Sequence, residues 1–356
     1  VPSPDAPDLS GVRRVLVLRH RAAGDLLLTT PALRALRAGL PRAEIDVLVS
    51  RGTEALLRGN PDVNRVLTLD RRSLWSQGSR YAWLLRGGYD LVLDMVSNPR
   101  SALMTAMTRA PIRVGFDIRG RRRAYTLRVP REPLGPDGPV VRYAPEASLD
   151  LVRALGVAPR GLSLTLRVAP EARARMDAWL RDAALGARPV AACLPSGTWP
   201  AKTWIPERFA GVMDSLHDAA DTLWLWGPGE EALARECAGR MKHPSTLGPH
   251  AGWEDLAALL SRCAILVSND SGPKHLAVAL GVPTVTIFGP THPGAWQPPD
   301  GPHVAVEARG LACLHCNHTE CPLPGDRRMR CMSDVSVAMV AEACRARLGA
   351  RAGSAA

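Results

Sequence analysis

The sequence predicts an α/β fold made of two doubly wound halves, and three observations carry that prediction. Apolar runs of strand length alternate with segments of helical periodicity, first over residues 14–108 and again over residues 170–290. A Pro- and Gly-rich passage, Pro130–Pro170, lies between the two alternations. In both halves the apolar runs end in short polar loops, such as His20–Gly24 and Pro195–Pro206, where a parallel sheet presents its ligand-facing edge. No internal repeat of solenoid period is visible.

In order, Arg14–Arg19 reads as a buried strand, and Asp25–Leu40 as a helix with apolar positions at Leu26, Leu27, Leu33 and Leu36. Glu44–Val49, Val66–Leu69 and Leu91–Asp94 read as further strands. Thr53–Leu57, Tyr81–Leu85 and Ser101–Thr108 are helix candidates, Leu149–Leu155 is helical with Gly156 ending it, and Leu162–Leu166 is a strand candidate. The second alternation gives helix Pro170–Ala184, strand Pro189–Leu194, helix Glu207–His217, strand Thr222–Trp226 and helix Trp253–Leu260. Strand Ala264–Val267, helix His275–Leu280 and strand Thr284–Phe288 follow, and Val335–Leu348 closes as a helix. Gly281-Val282-Pro283 stops the second of these, with Asp270 or Ser271 at its N-cap. The expected organisation is an N-terminal domain over 1–165, a C-terminal domain over 166–332 and a final segment over 333–356. The tails Val1–Pro7 and Arg351–Ala356 read as loose.

Composition bounds the function. At 356 residues, 46% apolar and 22% charged, the chain suits two globular cores. No run of about 18 apolar residues occurs, so no membrane span is expected. The start has no basic and apolar leader pattern, so a cytoplasmic protein is expected. The net charge of +11 implies an anionic partner: nucleic acid, anionic lipid or a phosphorylated substrate. Arg113–Arg131 holds seven Arg and one acid, Asp117, yet only Phe116 and Tyr125 as aromatics, which argues against single-stranded nucleic acid. It reads either as a solvated edge or as a surface for a phosphorylated acceptor or a membrane. Only three of the 45 basic residues are Lys, and two of them, Lys202 and Lys274, fall in the stretches picked out for chemistry. An ammonium is a compact point charge where guanidinium is a planar fork.

The focal stretch is Ser268-Asn269-Asp270-Ser271-Gly272-Pro273-Lys274-His275 with Gly289-Pro290-Thr291. Two strand ends and a helix N-terminus would open there on one sheet edge, leaving unpaired N–H groups and a helix dipole for a phosphate; an ordinary capped βαβ unit is the alternative. Asp25 is either an N-cap or a general base. Ser196, Thr198 and Lys202 either bind a diphosphate or pack a surface loop with Trp199 and Trp204. Glu230 either accepts from ribose hydroxyls or favours a helix start. Cys313, Cys316, Cys321 and Cys331 could close a zinc site, although their spacing is not that of a zinc ribbon, or remain thiols or disulfides. Neither G-x-G-x-x-G nor a Walker A lysine motif occurs in these loops, which counts against dinucleotide-dependent oxidoreductases and P-loop proteins.

Taken together, Val15–Arg19 through Gly24–Leu33, the Pro195–Pro206 loop, the Gly227–Glu230 turn and Ser268–Leu276 with Phe288–Thr291 resemble glycosyltransferase family 9, the ADP-heptose:lipopolysaccharide heptosyltransferase-like enzymes. The resemblance implies a GT-B architecture: two Rossmann-like domains facing across a cleft, with the last helix crossing back to the first. It implies an inverting transferase without a catalytic metal, a nucleotide-diphosphate sugar donor (ADP-heptose by family default) and an anionic lipid-linked acceptor; the expected location is cytoplasmic, at most peripheral on the inner face of a membrane, and no nucleic-acid partner is expected. Asp25 then matches the base, Lys202 the phosphate contact, and Asp270, Ser271, Gly272 and His275 the donor loop, with Ser196, Thr198 and Glu230 beside it. Arg19, Arg21, Arg121 and Arg122 become the acceptor-side candidates. The sequence departs from the family at His20, at Arg21 and at His292, where Asp is common after Gly-Pro-Thr. The competing expectation is a GT-B-like protein that binds a sugar nucleotide without turnover, or responds to metal or redox state through its cysteines.

Overall fold

A computed structural model describes residues 6–20, 22–69, 83, 86–132, 134–135 and 138–354. The chain divides into two units, Val1–Arg167 and Val168–Ala356. Each is an α/β unit around one six-stranded parallel sheet, as the alternation predicted.

In the first unit, β1 (Arg14–Arg19), β2 (Glu44–Ser50), β3 (Arg65–Leu69), β4 (Leu91–Asp94), β5 (Ile112–Phe116) and β6 (Leu127–Val129) stand in the order β3-β2-β1-β4-β5-β6. Val15–Leu18 is completely buried, because helices cover both faces of a doubly wound sheet and every side chain of a central strand enters a core. The expected helix over 25–40 is two: Ala23–Leu27 and Thr30–Gly39. The break has a cause. Pro31 has no N–H to give to Leu27, and the Thr30 hydroxyl takes that carbonyl instead, at 2.7 Å. Helix Thr30–Gly39 buries Leu33 and Leu36 completely, about 1.5–3 kcal/mol each. Leu162–Leu166 is not a strand. It is an extended strap, held by the Arg34 guanidinium on the Ser163 carbonyl and the Thr165 hydroxyl, and by Thr165 N donating to Thr30 Oγ1 at 2.9 Å. A small ribbon, β7 (Leu134–Gly135) and β8 (Gly138–Pro139), precedes helix Pro145–Arg153. The expected helix Tyr81–Leu85 lies largely outside the described residues.

The second unit repeats the topology. Strands β9 (Val190–Leu194), β10 (Asp221–Trp224), β11 (Thr246–Leu247), β12 (Ile265–Asn269), β13 (Thr284–Phe288) and β14 (His303–Glu307) stand in the order β11-β10-β9-β12-β13-β14. Trp204, Phe209 and Trp224 anchor the core, with Trp204 edge-on to Phe209 at 5.0 Å. The last helix, Val337–Ser354, packs on helix Pro206–Ser215 and on β12–β14. Among the described residues no helix is long and apolar enough to cross a membrane.

Candidate active site

The site grows from the end of β12. Asn269, fully buried, clamps the neighbouring loop: its Nδ2 donates to the Pro195 carbonyl at 2.7 Å and its Oδ1 accepts from Trp204 N at 3.2 Å. The Pro195–Pro206 loop is thereby fastened to the strand end, and the short helical turn Pro200–Lys202 brings Lys202 over Asp270. Next in sequence comes helix Gly272–Ala279, beginning three residues earlier than the apolar pattern suggests, with Ser271 as N-cap and Pro273 in its first turn.

Asp270 is the hub. Its Oδ2 accepts from Lys202 Nζ at 2.8 Å and from the Thr291 hydroxyl at 2.8 Å, and its Oδ1 accepts from Lys274 Nζ at 2.8 Å. Lys274 also donates to the Trp296 carbonyl at 2.9 Å. Lys202 lies 4.3 Å from the Trp199 ring centroid and 5.9 Å from that of Trp296. Two ammoniums and one carboxylate thus share a water-poor volume. Each of the two Asp–Lys pairs attracts by about 4 kcal/mol at an effective dielectric of 20, opposed by the repulsion between the ammoniums and by several kcal/mol of desolvation per ion. Burial acts to raise the Asp270 carboxyl, but the ammoniums of Lys274 and Lys202 outweigh it and hold the group far below the usual carboxylate range. Burial pushes the Lys274 ammonium down, with Asp270 opposing. Burial, reinforced by Lys274, holds His275 neutral, well below its ordinary value.

Beside this cluster sit buried polar atoms without partners: Ser271 Oγ, His275 Nδ1 and both amide atoms of Gln297. Native interiors rarely leave such atoms unpaired, and here they gather where a helix N-terminus offers N–H groups and positive potential. Ser196 is buried at the same edge, whereas Thr198 is exposed. Glu230 turns one oxygen inward, where Oε2 accepts from Gly227 N at 2.9 Å, closing the turn before helix Glu231–Gly239. An open cavity of about 770 Å³, lined by Trp226, Pro228, Gly229 and His250, adjoins that turn.

In the first unit Asp25 is the third residue of helix Ala23–Leu27, and its N-cap position belongs to Ala22. Its carboxylate is partly exposed, with Oδ2 3.4 Å from Arg19 NH2. Arg19 also donates to the carbonyls of Asp25 and Met95, so its guanidinium is engaged by its own chain. Arg122 pairs with Asp117 at 2.5 Å, and Arg121 is half-buried. Arg21 lies outside the described residues.

The structure lends the zinc expectation no support. All eight cysteines are free thiols, and among the described residues no group of three or more His, Cys, Asp or Glu side chains is placed to hold a metal ion. Cys331 is buried in a helical turn, Cys316 is exposed, and Cys321 Sγ already accepts from Met329 N at 3.4 Å. Burial, with the thiols of Cys313, Cys316 and Cys321 nearby, pushes Cys331 up to about 11. The segment instead braces the site. Asn317 N donates to the Pro290 carbonyl at 2.8 Å, and Ala201 N to the Thr319 carbonyl at 3.0 Å. Gly289 lets the segment approach closely, since a Cβ on it would stand 2.4 Å from Met332 Sδ and push that side chain aside. Left-handed backbone at His315, Asn317 and Met329 shows how tightly the segment is wrapped.

Sequence reasoning therefore located Lys202, Asp270, Ser271, Gly272 and His275 at one strand edge, and placed Lys274, Asn269 and Thr291 in the focal stretch without giving them a binding role. The scarcity of lysine was the available signal for Lys274. For Asn269 and Thr291 no local pattern existed, because their partners are 21 to 74 residues away.

Comparison with known proteins matches residues 80–325 to the model of glycosyltransferase family 9 (heptosyltransferase). A lipopolysaccharide heptosyltransferase 3 of Escherichia coli is 27% identical over 294 residues, covering 78% of this chain and 84% of the relative. The crystal structure of a family 9 glycosyl transferase from Veillonella parvula superposes with a TM-score of 0.82 at 22% identity, covering 96% of this chain and 99% of the other. The E. coli heptosyltransferase WaaC, solved with ADP-2-deoxy-2-fluoro heptose, has a TM-score of 0.64 at 23% identity, covering 83% of this chain and 94% of that one.

Proposed function

The chain belongs to glycosyltransferase family 9, and from that membership and the site geometry we propose that it transfers a heptose, with inversion, from ADP-heptose to an anionic lipid-linked saccharide of the cell envelope. The observation that carries the donor half is the cluster of Lys202, Asp270 and Lys274 beside the unpartnered Ser271 Oγ and His275 Nδ1 at a helix N-terminus. A diphosphate supplies what that place lacks: negative charge and acceptor oxygens. WaaC, solved with a fluorinated ADP-heptose, supports the donor class.

In this reading residues 166–332 bind the donor and residues 1–165 the acceptor. Lys202, Ser196, Thr198 and the Ser271–Gly272 amides hold the diphosphate, Glu230 meets the ribose with its outer oxygen, and Asp270 aims Lys202. As the anomeric C–O bond to the diphosphate breaks, charge grows on the leaving oxygens, and pre-placed N–H groups and an ammonium stabilise it most in the transition state. Asp25 takes the proton of the acceptor hydroxyl as that oxygen attacks the opposite face of the sugar, and Arg19 keeps the carboxylate in place. Arg121 and Arg122, with Arg21, attract the anionic acceptor, and the Arg-rich stretch draws the protein to the inner membrane face.

A thermal-shift panel of sugar nucleotides tests the donor, since binding to the native state raises its melting point. ADP-heptose is expected to give the largest shift; an equal response to every sugar nucleotide counts against the reading. Asp25→Ala is expected to keep donor affinity and lose about 100- to 10,000-fold in transfer, the usual contribution of a positioned base. Undiminished transfer removes Asp25 from the mechanism.

A further inference from the structure

We propose that Lys274 sets the charge of the donor site: by neutralising Asp270 from below, it leaves the ammonium of Lys202 as net positive charge for the donor's diphosphate. The inference rests on the donor-site reading above and adds to it a positioning residue that never touches the ligand.

The geometry separates the two lysines. The Lys274 side chain is 0% exposed, whereas that of Lys202 is 10% exposed. Lys274 Nζ is directed to Asp270 Oδ1 and the Trp296 carbonyl, over the Phe288 ring at 5.0 Å, so it is sealed on the inner side of the carboxylate. Lys202 occupies the outer side, on Oδ2, between the rings of Trp199 and Trp296. With Lys202 alone the cluster would be neutral, and Asp270 would repel an approaching diphosphate about as strongly as Lys202 attracts it. With Lys274 present the cluster carries one net positive charge at a helix N-terminus. The residue type fits the role: a compact ammonium acts as a point charge, fully buried against Asp270, the Trp296 carbonyl and the Phe288 ring.

The test uses the whole protein and measures binding of ADP, adenosine and inorganic pyrophosphate by titration calorimetry. Lys274→Met leaves a paired Lys202–Asp270 and is expected to fold. It should weaken ADP and pyrophosphate at least tenfold and leave adenosine unchanged, raising KM for the donor more than it lowers kcat. Combining Lys274→Met with Asp270→Asn returns the net charge to that of Lys202 alone, and should bring ADP affinity back to within about threefold of wild type. A merely structural role for Lys274 predicts no such rescue, so a double variant no better than the single one overturns the proposal. So does a single variant that binds ADP like wild type. Should the single variant not fold, the double variant decides alone: it must still prefer ADP over adenosine. Wild-type protein that binds neither ADP nor pyrophosphate overturns the donor-site reading itself, and this inference with it.

Discussion

The two units each carry a buried aspartate at the end of the equivalent strand of the same topology, one residue apart in register, and they treat it in opposite ways. Asp94 ends β4, and Asp270 directly follows β12, the strand that holds the same place in the second sheet. Asp94 is satisfied by neutral donors: Ser97 N at 2.7 Å, Val96 N at 3.0 Å and the Tyr125 hydroxyl at 2.8 Å. Tyr125 reaches it because β5 has Gly115, where a Cβ would collide with the ring at 2.4 Å. Burial pushes the Asp94 carboxyl up, and those hydrogen bonds only oppose the rise. Asp270 meets two ammoniums and is pulled down. Equivalent strand ends thus give a closed structural turn in the first unit and, in the second, a charged cluster ringed by unpartnered polar atoms. What distinguishes a site from a turn here is the charge of the partners, and the fold is common to both.

The largest way to break this comparison is to make both aspartates neutral. Asp270→Asn leaves two buried ammoniums without a carboxylate and should cost about 3–5 kcal/mol. Asp94→Asn keeps an acceptor oxygen for the Ser97 and Val96 amides and should cost about 1–2 kcal/mol. Urea unfolding of each variant measures both, and equal losses would contradict the distinction.

A smaller effect sharpens it through pH. Burial, with Lys274 and Arg347 nearby, lowers His303 to about 4, and His275 is lowered as well. Between pH 6.5 and about 4 the unfolded chain binds protons that the folded second unit refuses, so these groups lose stability as pH falls through that window. The expected loss from His303 is about 1–2 kcal/mol after discounting for its partial solvent contact. In the first unit Asp94 and Asp62 are raised by burial. The folded state then takes up protons above the unfolded carboxylate value near 3.8, so these groups gain stability as pH falls toward it. Hydrogen exchange resolved by unit, from about pH 7.5 to 4.5, should show protection falling in β12–β14 relative to β1–β5. Parallel changes in both units would contradict this.

Much of the fold was legible because central parallel strands are continuous apolar runs: Ala264–Val267 and Leu91–Leu93 declare themselves. The interior strand β5, interrupted by Arg113, and the edge strands β6, β11 and β14 did not, since an edge such as His303–Glu307 mixes polar and apolar residues and is half-solvated. The strap at 162–166 imitated a strand, and only the Arg34 and Thr30 contacts explain why it is none. At the site, local motifs pointed to the loop 268–275 but could not show that Asp270 faces two lysines. Lys274 lies four residues on, in the first turn of the helix that follows, where the spacing permits the contact. Lys202 arrives from 68 residues away, through a loop fastened by Asn269. The cysteine spacing, in turn, gave no hint that this segment braces the site loops through Asn317 and Thr319.

The central claim is that the cluster on Asp270 is an anion site that engages a donor diphosphate through Lys202. Titration of ADP-heptose into wild-type protein and Lys202→Met tests it most directly. Loss of one such charged donor should weaken turnover by about 2.7–4 kcal/mol, or roughly 100- to 1,000-fold. The binding isotherm should weaken markedly, and pyrophosphate should displace the sugar nucleotide from wild type alone. A Lys202→Met protein that binds ADP-heptose as tightly as wild type, with pyrophosphate still competing, would contradict the account.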